Sequence, residues 1–120
     1  LYADAKAYMN WLIQSQGIAP EEIVLYGASL GTGVAIHTAT FFPVLAIMLE
    51  GAFDTTLSVA QARYRLFPVE FLMKDQYRSI DKIDQIEAPI LFVHAEQDEL
   101  VYIRFAENLY NAARSPKKFI

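Results

Sequence analysis

Gly27-Ala28-Ser29-Leu30-Gly31 is a G-x-S-x-G pattern, and it stands where an apolar run, Ile23-Val24-Leu25-Tyr26, gives way to a stretch rich in Ala, Val, Ile and Thr. A serine hydroxyl attacks an acyl carbon well only when a base takes its proton and a tight turn lifts it clear of its neighbours. At a strand-to-helix turn of this kind the two backbones converge, so the residues two before and two after the serine must be small. Gly27 and Gly31 are expected to supply that room, with Ala28, Gly33 and Ala35 keeping the surroundings compact. At the first turn of a helix Ser29 gains the positive end of the dipole, and the Leu30 N–H becomes one donor for a developing oxyanion.

Other glycine-rich sites fit less well. A dinucleotide fingerprint running on from Gly31 and Gly33 needs glycine at position 36, which is Ile36, and no Gly-Lys-Ser/Thr follows to make a phosphate loop. The remaining rival is an ordinary glycine-rich turn that happens to contain a serine. The apolar run before the pattern and the buried helix expected after it favour the elbow.

The elements that must hold this turn can be read from the apolar spacing. Tyr2 to Gln16 places Ala5, Tyr8, Met9, Leu12 and Ile13 at helical intervals, and Gly17 supplies a stop. Ile23 to Tyr26 reads as a strand, Leu30 to Phe42 as a buried helix ended by Pro43, and Val44 to Leu49 as a strand covered on both faces. Pro89 to His94 repeats the strand pattern, Ile103 to Ala113 is an amphipathic helix, and Lys117 to Ile120 opens a last strand. Alternation of this kind predicts an α/β fold with a parallel sheet of about four strands and flanking helices. Gly51 to Ala88 is too long for an ordinary connection and predicts a helical, cap-like insertion over about 52–88, with Ile80, Ile83 and Ile86 three apart behind a Ser79 cap. Its aromatic residues, including Phe53, Tyr64, Phe67 and Phe71, fit a cap over an apolar substrate pocket or one packed on the core without substrate contact.

Composition narrows the classes. With 54% hydrophobic and 20% charged residues, the 120-residue chain is globular and has the length of one domain or part of one. Ten basic against 14 acidic residues leave a net charge of −4, with no surplus to follow a phosphate backbone, so nucleic acid is excluded as a partner. The absence of Cys and the presence of only two His exclude disulfide scaffolds and the usual zinc sites, and fit a reducing, cytoplasmic compartment. The 27 residues from Ile23 to Leu49 carry no charge, yet Gly27, Ser29, Gly31, Thr32, Gly33, His37, Thr38, Thr40 and Pro43 interrupt them too often for a membrane span. The chain starts at Leu1 rather than Met and stops within an expected strand, which reads as a fragment of one domain spanning 1–120.

At this point the sequence resembles the α/β-hydrolase superfamily, and within it the esterase and serine-aminopeptidase-like branch. Tyr26 to Gly33 is similar to the family's elbow. Leu49-Glu50-Gly51-Ala52-Phe53 is similar to a stretch that often reads Glu-Ser-Pro-Phe, from which Gly51-Ala52 departs. Ala88 to Asp98 resembles a strand ending in His-Gly-x-x-Asp, with Ala95 in place of Gly. The resemblance implies that Asp98 is the triad acid, with Glu50 as the alternative acid because some relatives carry theirs after the preceding strand. It also implies that the triad histidine follows Asp98 beyond Ile120 and that the second oxyanion donor precedes Leu1. His37 lies eight residues past Ser29 on one helix, about 12 Å away, which is out of hydrogen-bond reach. His94 is expected two strands across the sheet, nearly 10 Å off, bracing the Asp98 loop.

These readings predict a serine hydrolase that cleaves carboxylic esters, thioesters or amides through an acyl-enzyme. The expected partner is a small-molecule ester or acyl substrate; no metal or organic cofactor is required, and the 120 residues alone should not turn over. The alternative is a non-catalytic binding module that keeps the elbow as architecture.

Overall fold

The computed structural model describes residues 2–55, 78–95, 97 and 103–120. Helix α1 (Tyr2–Gln14) leads through a 3₁₀ turn (Pro20–Glu22) to strand β1 (Val24–Ala28), helix α2 (Leu30–Ala39) and strand β2 (Ala46–Glu50). Two further 3₁₀ turns (Ser79–Asp81 and Ile83–Gln85) precede strand β3 (Ile90–Val93), helix α3 (Ile103–Ala112) and strand β4 (Lys117–Phe119). The four strands form one parallel sheet in the order β1-β2-β3-β4, with Val24 opposite Ala46, Ile47 opposite Ile90 and Ile90 opposite Lys117. This is the α/β architecture expected from the alternating pattern. The uncharged stretch divides among β1, α2 and β2, and no described helix is long and apolar enough to cross a membrane.

A strand order that advances one place at a time fixes where the helices go. Parallel strands are joined by right-handed crossovers, so successive steps in one direction carry every connection over the same face. On that face Ile47, Leu49 and Phe92 are at most 1% exposed, packed with Ile36 of α2 and Leu109 of α3. Burial on this scale stabilises by about 1.5–3 kcal/mol per large side chain. Phe92 stands edge-on to Tyr110 at 5.5 Å and stacks on Phe119 at 5.8 Å, which pins α3 over β3 and β4. Met9 is the one residue of α1 that is fully buried, with Leu12 and Ile13 half-buried beside it. Tyr8, expected on the same stripe, is 62% exposed.

The opposite face carries Val24, Tyr26, Met48 and Glu50, all exposed. Val44 to Leu49 was expected to be covered on both sides; β2 starts at Ala46 and is buried on one side only, at Ile47 and Leu49. The outer edge of β1 has no strand partner among the described residues.

Two more elements differ from expectation. Helix α2 ends at Ala39 rather than Phe42, because the Thr40 and Phe41 N–H groups tighten onto the His37 and Thr38 carbonyls at 3.2 and 3.0 Å. Ile80, Ile83 and Ile86 lie in and beside 3₁₀ turns, whose period is three residues, and Ser79 is the first residue of its turn, not a cap. Ile83 and Ile86 are buried in the core. The start and end of the long connection are tied together by the Ile80 N–H, which donates to the Asp54 carbonyl at 3.1 Å, and Asn108 Nδ2 of α3 donates to the Asp54 carboxylate at 3.1 Å. Tyr64, Phe67, Phe71 and the rest of the expected cap-like insertion between positions 56 and 77 lie outside the described residues, while Phe53 is 3% exposed.

Candidate active site

Ser29 joins β1 to α2 with φ 52° and ψ −118°, and among the described residues it is the one non-glycine at positive φ. A backbone held there costs about 1–3 kcal/mol, so its surroundings must hold it. They do so through both of its peptide groups. Its N–H donates to the Glu50 carbonyl of β2 at 2.8 Å, and its carbonyl accepts the Thr32 N–H at 3.0 Å and the Thr32 Oγ1 hydroxyl at 2.6 Å. The bend brings the chain back on itself: a Cβ at Gly27 would lie 2.4 Å from the Gly31 carbonyl oxygen and 2.9 Å from the Thr32 Cα. Both obstacles are backbone, so glycine is required there. Gly31 behaves differently from the sequence reading. A Cβ on it meets nothing within 4 Å among the described residues, so its backbone occupies the room that Gly27 leaves, and its own missing side chain is not what makes the turn fit.

Ser29 and Leu30 are both exposed, at the carboxyl edge of the sheet, where ligands bind in open α/β folds. One row of residues just past the strands lines this edge. Beyond the Ser29–Glu50 bond, Gly51 N–H donates to the Val93 carbonyl at 2.9 Å and His94 N–H to the Ile120 carbonyl at 3.4 Å. Gly51, where the resemblance departs from Ser, adopts φ 63°, which a glycine takes without strain. His94 is 7% exposed, at the end of β3 with β2 between it and β1. His37 packs within the helical layer, stacked on Tyr2 at 3.8 Å and edge-on to Phe41 at 5.1 Å.

Glu50, the alternative acid, spends its carboxylate on the open face, where it accepts the Tyr26 hydroxyl. That bond, with the neighbouring negative charge, raises the Tyr26 phenol above its ordinary pKa. The structure therefore gives Glu50 two ties, one through its carbonyl to Ser29 in the turn after β1 and one through its side chain to Tyr26 in β1. Asp98 lies outside the described residues. No group of three or more metal-binding side chains is found among the described residues.

Sequence reasoning missed Thr32 and Tyr26. A hydroxyl three residues past a strained turn is well placed to reach back to its carbonyl, and this signal was available. The Tyr26–Glu50 pair depends on register, which places Tyr26 beside Met48 and Glu50 one diagonal step further along the same face.

No family model matches the chain. An uncharacterized protein of Mycobacterium tuberculosis is 33% identical over 120 residues, covering all of this chain and 43% of its own length. The human alpha/beta hydrolase domain-containing protein 17C is 33% identical over 117 residues, 98% of this chain and 34% of its own. Among solved structures, the esterase domain of a Rhodothermus marinus protein superposes with a TM-score of 0.74 at 29% identity, over all of this chain and 56% of that one. The chain is a relative of the α/β-hydrolases. It spans about two-fifths of the length of these curated relatives. The α/β-hydrolase fold carries its nucleophile elbow on a strand-to-helix turn, and Ser29 stands on such a turn here, between β1 and α2.

Proposed function

We propose that the intact protein is a serine hydrolase acting on carboxylic esters, thioesters or amides. The strained, exposed conformation of Ser29 between β1 and α2 carries this reading. An ordinary glycine-rich turn has no reason to hold a serine at φ 52° when a glycine could sit there without strain.

In the mechanism we propose, Ser29 Oγ attacks the acyl carbon while a histidine from outside these 120 residues takes its proton. Negative charge gathers on the former carbonyl oxygen, and the Leu30 N–H donates to it at the first turn of α2. The tetrahedral intermediate collapses, the bond to the leaving group breaks, and the histidine protonates that group as it departs. Water then repeats the sequence on the acyl-Ser29 ester and releases the acid. Asp98 orients the histidine, and Glu50 serves the architecture through Tyr26 and Ser29. Esterase and hydrolase names among the relatives and structural neighbours support the hydrolase reading.

Labelling of the full-length protein by a fluorophosphonate probe tests this directly. Wild type should label and Ser29→Ala should lose essentially all labelling and all hydrolysis of p-nitrophenyl acetate. Labelling that persists in Ser29→Ala removes Ser29 from the role, and a folded wild type that neither labels nor hydrolyses points to the binding module.

A further inference from the structure

Thr32 is fully buried, yet its hydroxyl is turned back onto the carbonyl of Ser29 at 2.6 Å, in addition to its own N–H bond to the same oxygen at 3.0 Å. A helix needs only one donor on that carbonyl. The second has a consequence that follows from peptide planarity: the Ser29 carbonyl and the Leu30 N–H belong to one rigid unit and point in opposite directions. Whatever fixes the carbonyl therefore aims the N–H.

We infer that Thr32 is a positioning residue for the oxyanion donor. Its hydroxyl locks the Ser29–Leu30 peptide plane so that the Leu30 N–H faces the edge where the acyl oxygen collects charge. This inference rests on the serine-hydrolase reading above and deepens it.

Three features of the site fit this role. The peptide plane on the other side of Ser29 is already held by the Glu50 carbonyl, so the Leu30 plane is the remaining freedom of the elbow. The strain at Ser29 supplies a restoring force toward ordinary dihedral angles, and rotation of that plane is one way to relieve it. Thr32 also lies beneath the turn with 0% exposure, where water cannot replace its hydroxyl on the carbonyl. Alignment of a donor matters in the transition state, where the oxygen is charged, and little in the ground state, so the effect belongs in kcat rather than KM.

The test uses full-length protein, p-nitrophenyl acetate as substrate and phenylboronic acid as an inhibitor that forms a tetrahedral adduct on serine. Thr32→Val keeps the shape and removes the hydroxyl; Thr32→Ala removes it with less bulk and serves if the valine variant does not fold. Either should lower kcat about tenfold, short of the roughly 10²–10³-fold lost when an oxyanion donor is removed outright, with KM within about twofold. Phenylboronic acid should bind more weakly by a similar factor, and Thr32→Ser should recover most of both losses. Unchanged kcat, a loss confined to KM, or a loss that Thr32→Ser does not recover overturns the inference while Ser29 labelling stands. Loss of Ser29 labelling specificity in wild type would instead remove the parent reading.

Discussion

The two faces of the sheet are built from the same strands and nearly the same residue types, yet they end in opposite environments. On β1 and β2 the helical side holds Gly27, Ile47 and Leu49, all buried, while the other side holds Val24 at 52%, Tyr26 at 59% and Met48 at 37% exposure. Hydropathy does not separate the two sets. What separates them is the crossover rule: an order that only advances lays every connection over one face. The difference also divides the work of the elbow. The covered face supplies rigid backbone against which the bend is wedged, and the open face supplies a polar strap, Tyr26 to Glu50, across the same two strands.

Substitutions that treat the faces alike should give very unequal results. Gly27→Ala forces a methyl group into the Gly31 carbonyl and should show the largest effect, a loss of about 3 kcal/mol or more in urea unfolding together with loss of probe labelling. Gly31→Ala, two residues past the serine, should unfold within about 1 kcal/mol of wild type, because helix interiors favour alanine and no described atom is in the way. Equal losses at the two glycines would show that the wedge is not where the geometry puts it. Of comparable size in stability alone, without the loss of labelling, Phe92→Ala on the covered face should lose about 3–5 kcal/mol, since it empties a site 1% exposed and ringed by Tyr110 and Phe119. Met48→Ala, on the open side of the neighbouring strand, should change stability by no more than about 0.5 kcal/mol. A comparable loss at Met48 would mean that this face is covered in the intact protein.

Much of this was legible in the residues. The strand–turn–helix placement of Gly27 to Gly31 located the strained serine, and apolar runs bounded by Gly and Pro located each described strand to within two residues at its start. One-sided burial was not legible, because Val44 to Leu49 reads as apolar throughout and strand order, which decides coverage, has no local signature. The 3₁₀ turns at Ser79–Asp81 and Ile83–Gln85 could have been read from the strict three-residue isoleucine spacing, which matches their period better than that of an α-helix. At the site, Gly27 and Gly31 look equivalent as letters. Only the path of the backbone shows that one must be bare and the other provides the obstacle. Tyr26 acts through a hydrogen bond whose geometry the strand register sets, so its partner emerges only once that is known, whereas the local i to i+3 spacing of Ser29 and Thr32 already pointed to the Thr32 bond.

The smallest expected effect probes the strap on the open face. Tyr26 donates to the Glu50 carboxylate, and that bond raises its pKa in the folded protein above the unfolded value of about 10. Below that value the phenol is protonated in both states, and the contribution of the bond to stability is fully present. As the pH rises past it, the unfolded chain loses this proton first while the folded chain still holds it. The contribution therefore shrinks and is gone once the pH passes the folded pKa, where a phenolate would face the carboxylate. Tyr26→Phe lacks the group, so urea unfolding of wild type and variant from pH 8 to 11 should show a modest wild-type advantage that narrows at the alkaline end. Groups common to both proteins cancel in the difference. Curves that stay parallel across the range would show that Tyr26 and Glu50 do not share a proton-dependent bond, and Glu50 would then be free of the open face and available again as the acid of the site.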